Sequence, residues 1–213
     1  PFPIYLAGLG LGLMPAVAGV VAACVLLLSL SNPLTALTYA AGVALPALIL
    51  TRLTLLARGE GEEREWYPIG RVVIASALMS GAMSFAYMAA QGADTEALTK
   101  LIRPAVDEFA KTQLPSLPGG ETLGEPQIVE LTNIIVTTLP GAIAISVMLT
   151  ALGSLWLAGR VALAAGVLQR PWPDFSRLEL PLGSAILLLA TMVISITSDK
   201  AWLLADGFAS ALR

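Results

Sequence analysis

The chain of 213 residues has no histidine, a single cysteine (Cys24), and charge on only 13% of its side chains. Each shortage excludes a class of chemistry. With no imidazole and one thiol there is no zinc cage, no histidine-based triad, no His-ligated haem, no CxxC redox pair and no disulfide within the chain. Cys24 lies inside an apolar run and reads as a small packing residue. A net charge of −3 offers no basic footprint, so a nucleic-acid partner is not expected. Soluble domains carry about 25% charged residues, roughly twice the share found here.

What the chain has instead is apolar length. Hydrophobic residues make up 56% of it. Five long apolar stretches separated by short polar ones leave too little polar chain to wrap a soluble domain around them. The expected fold is all-α, a polytopic transmembrane bundle forming one membrane domain over residues 1–213, with spans at about 3–30, 34–56, 68–90, 140–160 and 182–198. Membrane lipids are therefore expected partners.

The first stretch, Pro1 to Leu30, is too long for one straight crossing at about 1.5 Å per residue. Gly8, Gly10 and Gly12 soften it and Pro15 removes a helical hydrogen bond, which places a kink near Met14. Ser31, Asn32 and Pro33 form a turn into the second span, which contains Pro46 and ends at Arg52. Residues 57–68 read as a charged loop that sets Trp66 and Tyr67 at headgroup level. Residues 91–126 are the one substantial extramembrane segment. Within it Leu98, Leu101, Ile102, Ala105 and Phe109 recur at helical spacing, predicting an amphipathic helix from Thr95 to Lys111 that lies on the bilayer or covers the bundle. Gln127 to Arg160 would reach about 51 Å if continuous, against a hydrocarbon core of about 30 Å. Pro140 and Gly141 fall inside it, so a broken helix is expected. The end of the chain, DKAWLLADGFASALR, is too short to cross again and reads as part of a longer protein.

Arg52, Arg58, Arg64, Arg71, Arg160, Arg170 and Arg177 fall on one side of these spans, and Lys100, Arg103, Lys111, Lys200 and Arg213 on the other. The positive-inside rule makes the loops 57–68 and 161–181 cytoplasmic and segment 91–126 extracytoplasmic.

No ionisable residue sits at mid-span, where burial would cost at least ~2.5 kcal/mol, so a proton-relay pump is disfavoured. The spans carry hydroxyls at helical spacing instead: Ser76, Ser80 and Ser84; Ser146, Thr150 and Ser154; Thr191, Ser195 and Ser198. One reading is small-residue helix packing. The other is a polar cavity for a neutral or zwitterionic small molecule, with Ser80, Ser84, Asn133, Thr137, Ser146, Thr150, Thr191 and Ser195 as candidate ligand-binding residues. Neither needs a metal or cofactor. Gly8, Gly12 and Ala16, with Ala18 and Ala22, offer close approach to a neighbouring span or a partner protein. Arg52, Arg71, Arg160 and Arg170 would cluster at one headgroup level, facing anionic lipid or a cytoplasmic partner. Glu130 and Asp199 are the plausible carboxylates near spans, and nothing pairs a nucleophile with a base, so the chain is read as non-enzymatic.

The runs LTALGSLWLAGRVALAAG and RPWPDFSRLELP, with EWYPIGR and PIYLAGLGLG, resemble the YybS-like family of predicted bacterial membrane proteins over most of the chain. The resemblance implies the bacterial inner membrane and a fold. It implies no activity, because that family's function is unknown. The family has been grouped distantly with the substrate-binding subunits of energy-coupling-factor vitamin transporters and with the cell-shape protein MreD, which carries no site residue across. The expectation is a small-molecule-binding or transport-related membrane component; the alternative is an accessory subunit scaffolding a membrane complex.

Overall fold

The computed structural model describes residues 1–59, 64–90, 95–113, 124–172, 179–181, 183, 184, 186 and 189, and these are mostly helical. Among the described residues, four helical runs are long and apolar enough to cross a membrane. An all-α membrane bundle is what the apolar runs predicted.

The first run forms two helices. Helix α1 (Phe2–Leu11) and helix α2 (Leu13–Leu30) are separated at Gly12, whose φ of 101° and ψ of 172° lie in a region that side chains with a Cβ rarely enter. The break therefore falls at Gly12 and not at a Pro15 kink. Pro15 sits in the first turn of α2, where its missing N–H would have had no helical acceptor. At about 15 Å, α1 is half the hydrocarbon thickness. It packs against α2, α4 and α7 and buries Ile4, Tyr5 and Leu9. Helix α2 instead turns Val21, Val25, Leu26, Leu28 and Leu30 outward, the arrangement expected of a lipid-facing span.

Asn32 caps the next helix by accepting a hydrogen bond from the Thr35 N–H at 2.8 Å, with Pro33 following in the first turn. Helix α3 (Pro33–Tyr39), a π-helical turn (Ala40–Ala44) and α4 (Leu45–Leu55) then form one membrane-length run. Two short strands, β1 (Ala57–Arg58) and β2 (Glu65–Trp66), pair antiparallel where a plain loop was expected. Helix α5 (Ile69–Ala90) follows.

Helix α6 (Thr95–Glu108), continued by a π-helical turn (Phe109–Gln113), stands against the first half of α7 (Glu125–Ala164). Its buried stripe is Leu98, Val106 and Ala110 with Ile102 partly buried, packed on Ile128, Leu131, Ile135 and Val136. Leu101, placed on this face from spacing, is 69% exposed, and Phe109 is exposed as well. At about 60 Å, α7 is twice the hydrocarbon thickness. It is continuous through Pro140, so the expected break is absent. The half of α7 before the proline has α6 beside it, and Ser84 of α5 donates a hydrogen bond to the Pro140 carbonyl at 2.7 Å, while the carbonyl that loses its helical donor to the proline is that of Val136.

Helices α5 and α7 form the central seam. Val72, Ser76, Ser80, Ser84 and Met88, every fourth residue, are buried on α5, and Val136, Pro140, Gly141 and Ala144 are buried on α7. The ends of α1, α4 and α7 meet at one edge of the bundle. There the Gln169 N–H donates to the Leu9 carbonyl at 3.2 Å, and the Arg170 guanidinium donates to the Thr54 carbonyl at 3.0 Å. Of the fifth expected span, 182–198, only Gly183, Ser184, Ile186 and Leu189 are described; the rest of that span and residues 199–213 lie outside the described residues.

The Gly12 conformation generates a test. Gly12→Ala is expected to destabilise the fold by about 1–3 kcal/mol, whereas Gly19→Ala, inside α2 where an added Cβ meets open space, should be neutral or stabilising by up to about 1 kcal/mol. Denaturation in mixed micelles compares the two, and equal stabilities would contradict the need for glycine at the break.

Candidate functional site

A cavity of about 280 Å³ lies between α1, the π-helical turn, α5 and α7. Among the described residues that line it, no side chain is charged; Tyr5, Met79, Met83 and Val147 give an apolar wall interrupted by hydroxyls.

Four hydroxyl residues converge there, Ser76 and Ser80 from α5 and Ser146 and Thr150 from α7. They differ in what they can offer. The Ser146 and Thr150 hydroxyls donate to carbonyls one turn back, Ala142 and Ser146, each at 2.7 Å. Their protons are committed, and their oxygens remain acceptors. Ser76 is 1% exposed, and its Oγ has no hydrogen-bond partner among the described residues. A hydroxyl left unsatisfied in this way costs about 1–3 kcal/mol, so it is available to a molecule that enters.

The opposite wall comes from the π-helical turn and the start of α4. Gly42 and Val43 of the π-helical turn and Pro46 of α4 line the cavity. Pro46 has no N–H, so a carbonyl about one turn earlier, at Ala41 or Gly42, loses its helical donor. π-Helical turns place such groups at functional sites often enough to give this wall weight. The cavity thus combines hydroxyls at Ser76 and Ser80 with the acceptor oxygens of Ser146 and Thr150, and no charged side chain.

Of the residues singled out from sequence, the structure brings Ser80, Ser146 and Thr150 together. Ser84 is held in the α5–α7 seam by its bond to Pro140. Asn133 and Thr137 are exposed on the α6-paired half of α7, where the Thr137 hydroxyl donates to the Asn133 carbonyl at 2.8 Å, and neither lines the cavity. They precede Pro140, where α7 runs on without the expected break. Thr191 and Ser195 lie outside the described residues. Tyr5 and the Gly42–Pro46 wall were not singled out. Pro46 inside an apolar run was the available signal, but the direction its freed carbonyl faces is not readable from spacing.

At the edge where the helix ends meet, arginines stack on aromatics. Arg64 lies over Trp66 at 4.9 Å, Arg71 over Tyr67 at 5.7 Å, Arg160 over Trp172 at 5.4 Å and Arg170 over Trp66 at 5.8 Å. Burial lowers the Arg170 pKa from its ordinary value. Arg52, which was expected in this group, is exposed and stacks on no ring among the described residues.

A family model described as "Predicted membrane protein (DUF2232)" matches residues 1–212. No curated protein and no solved structure matches the chain.

The two buried serines of the seam should respond differently to truncation. Ser84→Ala is expected to cost about 0.6–1.7 kcal/mol, the range for interhelical polar contacts in membranes. Ser76→Ala, which removes an unpaired hydroxyl, should be neutral or slightly stabilising. Unfolding both in the same micelles settles the order, and a larger loss at Ser76 would show its hydroxyl to be a structural tie.

Proposed function

The chain belongs to the family of predicted membrane proteins designated DUF2232, and from that premise we propose that it is a non-enzymatic, multi-pass component that binds a small uncharged or zwitterionic molecule within the bundle. The observation that carries this reading is the Ser76 hydroxyl, buried without a partner among the described residues and lining a cavity that Ser80, Ser146 and Thr150 also line. A hydrogen-bonding ligand would satisfy it. The volume of about 280 Å³ is near the lower end for small-molecule sites, which run from about 300 to 1,000 Å³. A charged ligand would find no charged side chain in the described lining.

The arginine-rich edge is the cytoplasmic one in this reading, by the positive-inside rule, and the membrane is the bacterial inner membrane. The α6–α7 pair then stands on the opposite side. A binding component of this kind serves a transport process.

Native mass spectrometry of the protein released gently from its own membranes tests the proposal. A stoichiometric small-molecule adduct is expected with the parent chain. Thr150→Leu and Gly42→Leu, both of which fill the cavity from its rim, should each reduce adduct occupancy at least tenfold while leaving the helical circular-dichroism spectrum unchanged. Folded variants that keep the adduct, or a parent chain that never carries one, would overturn the binding role.

A further inference from the structure

A second cavity, of about 260 Å³, runs between α5 and α7 at the arginine-rich edge. Its walls are apolar, with Val72 and Val73 facing Leu152, Leu155 and Trp156. On α7, Leu152 lies about 10 Å further into the bundle than Gly159, so the groove runs from the edge toward the hydrocarbon. Arg170 is the one charged side chain among the described residues that line it.

Arg170 is only 9% exposed. It donates to the Thr54 carbonyl at 3.0 Å and lies over Trp66. A guanidinium has five N–H donors, and among the described residues no carboxylate forms an ion pair with this one. Glu65, on the neighbouring ribbon, is opposite Arg58 in the strand pairing. Arg160 approaches the same region through Trp172, which also lines the groove. Trp66, Tyr67 and Trp172 are the residue types that mark the headgroup level of a bilayer.

We propose that this groove seats one anionic phospholipid, with its phosphate at Arg170 and Arg160 and an acyl chain between α5 and α7. The tail alone selects nothing, because any lipid chain is as apolar as the groove. Selection resides in the head. A cation buried at the interface without an ion-pair partner among the described residues favours an anion, and the phosphate of a phospholipid lies at the depth where the aromatic residues place the guanidinium. The apolar groove continuing beneath the charge separates a lipid from a free phosphate, which would leave the groove unused. This site is independent of the hydroxyl-lined cavity.

The test uses the full chain in a neutral detergent, titrated with palmitoyl-oleoyl phosphatidylglycerol or the matching phosphatidylcholine and read by native mass spectrometry. One phosphatidylglycerol should be retained at least tenfold more tightly than phosphatidylcholine. Arg170→Gln should abolish that preference. Because it also removes the tie to Thr54, Arg160→Gln at an exposed position serves as the second variant, with an expected loss of at least fivefold. Val73→Trp, which fills the tail groove, should reduce retention of phosphatidylglycerol at least fivefold with both arginines intact. Equal retention of the two lipids, preference unchanged in Arg160→Gln, or phosphatidylglycerol retention unchanged in Val73→Trp would overturn the proposal. Displacement of the lipid by millimolar inorganic phosphate would also overturn it, by showing a free-anion site.

Discussion

Hydrocarbon supplies no hydrogen bonds, so a chain that crosses it must satisfy its backbone internally wherever a helix is interrupted. Gly12, Pro46 and Pro140 each interrupt or weaken a helix here, and much of the architecture answers to them. Gly12 lies at the edge where helix ends meet, and the chain separates there into two helices. Pro140 stays within a continuous helix whose neighbour supplies the Ser84 hydroxyl to its carbonyl. Pro46 follows a π-helical turn, which puts backbone next to a cavity.

The serines of α5 show how one stripe serves two purposes. Ser76, Ser80 and Ser84 share a face with Val72 and Met88, and the whole face is buried toward α7. Small side chains let the two helices approach closely, which is the packing role. Yet Ser84 closes a hydrogen bond across the seam, while Ser76, two turns nearer the arginine edge, reaches no partner among the described residues. The two readings of the hydroxyl pattern are therefore divided along the helix: seam at Ser84, cavity at Ser76 and Ser80.

The arginine edge follows a different rule. Cations near a bilayer surface can keep water or anionic headgroups as partners, and arginine also stacks on aromatic rings. The β-ribbon carries Trp66 to Arg170, and the return segment after α7 carries Trp172 to Arg160. Contacts between residues so far apart in the chain hold the ends of α4, α5 and α7 in one cluster.

The apolar runs by themselves determined the all-α membrane class, the turn at Asn32, the amphipathic character of α6 and the placing of most arginines at one edge, because hydropathy and capping act over a few residues. They also determined that hydroxyls, not charges, would supply polarity within the spans. Whether an interruption became a break was decided in the tertiary structure. Gly12 broke its run and Pro140 did not: Gly12 takes a φ of 101° that ends α1, whereas α7, packed on α5 and α6, stays continuous through its proline. The same holds for the site: Ser80, Ser146 and Thr150 meet, while Asn133 and Thr137 face away, because helical spacing fixes which residues share a face but only the packing of α1, α4, α5 and α7 fixes which faces meet.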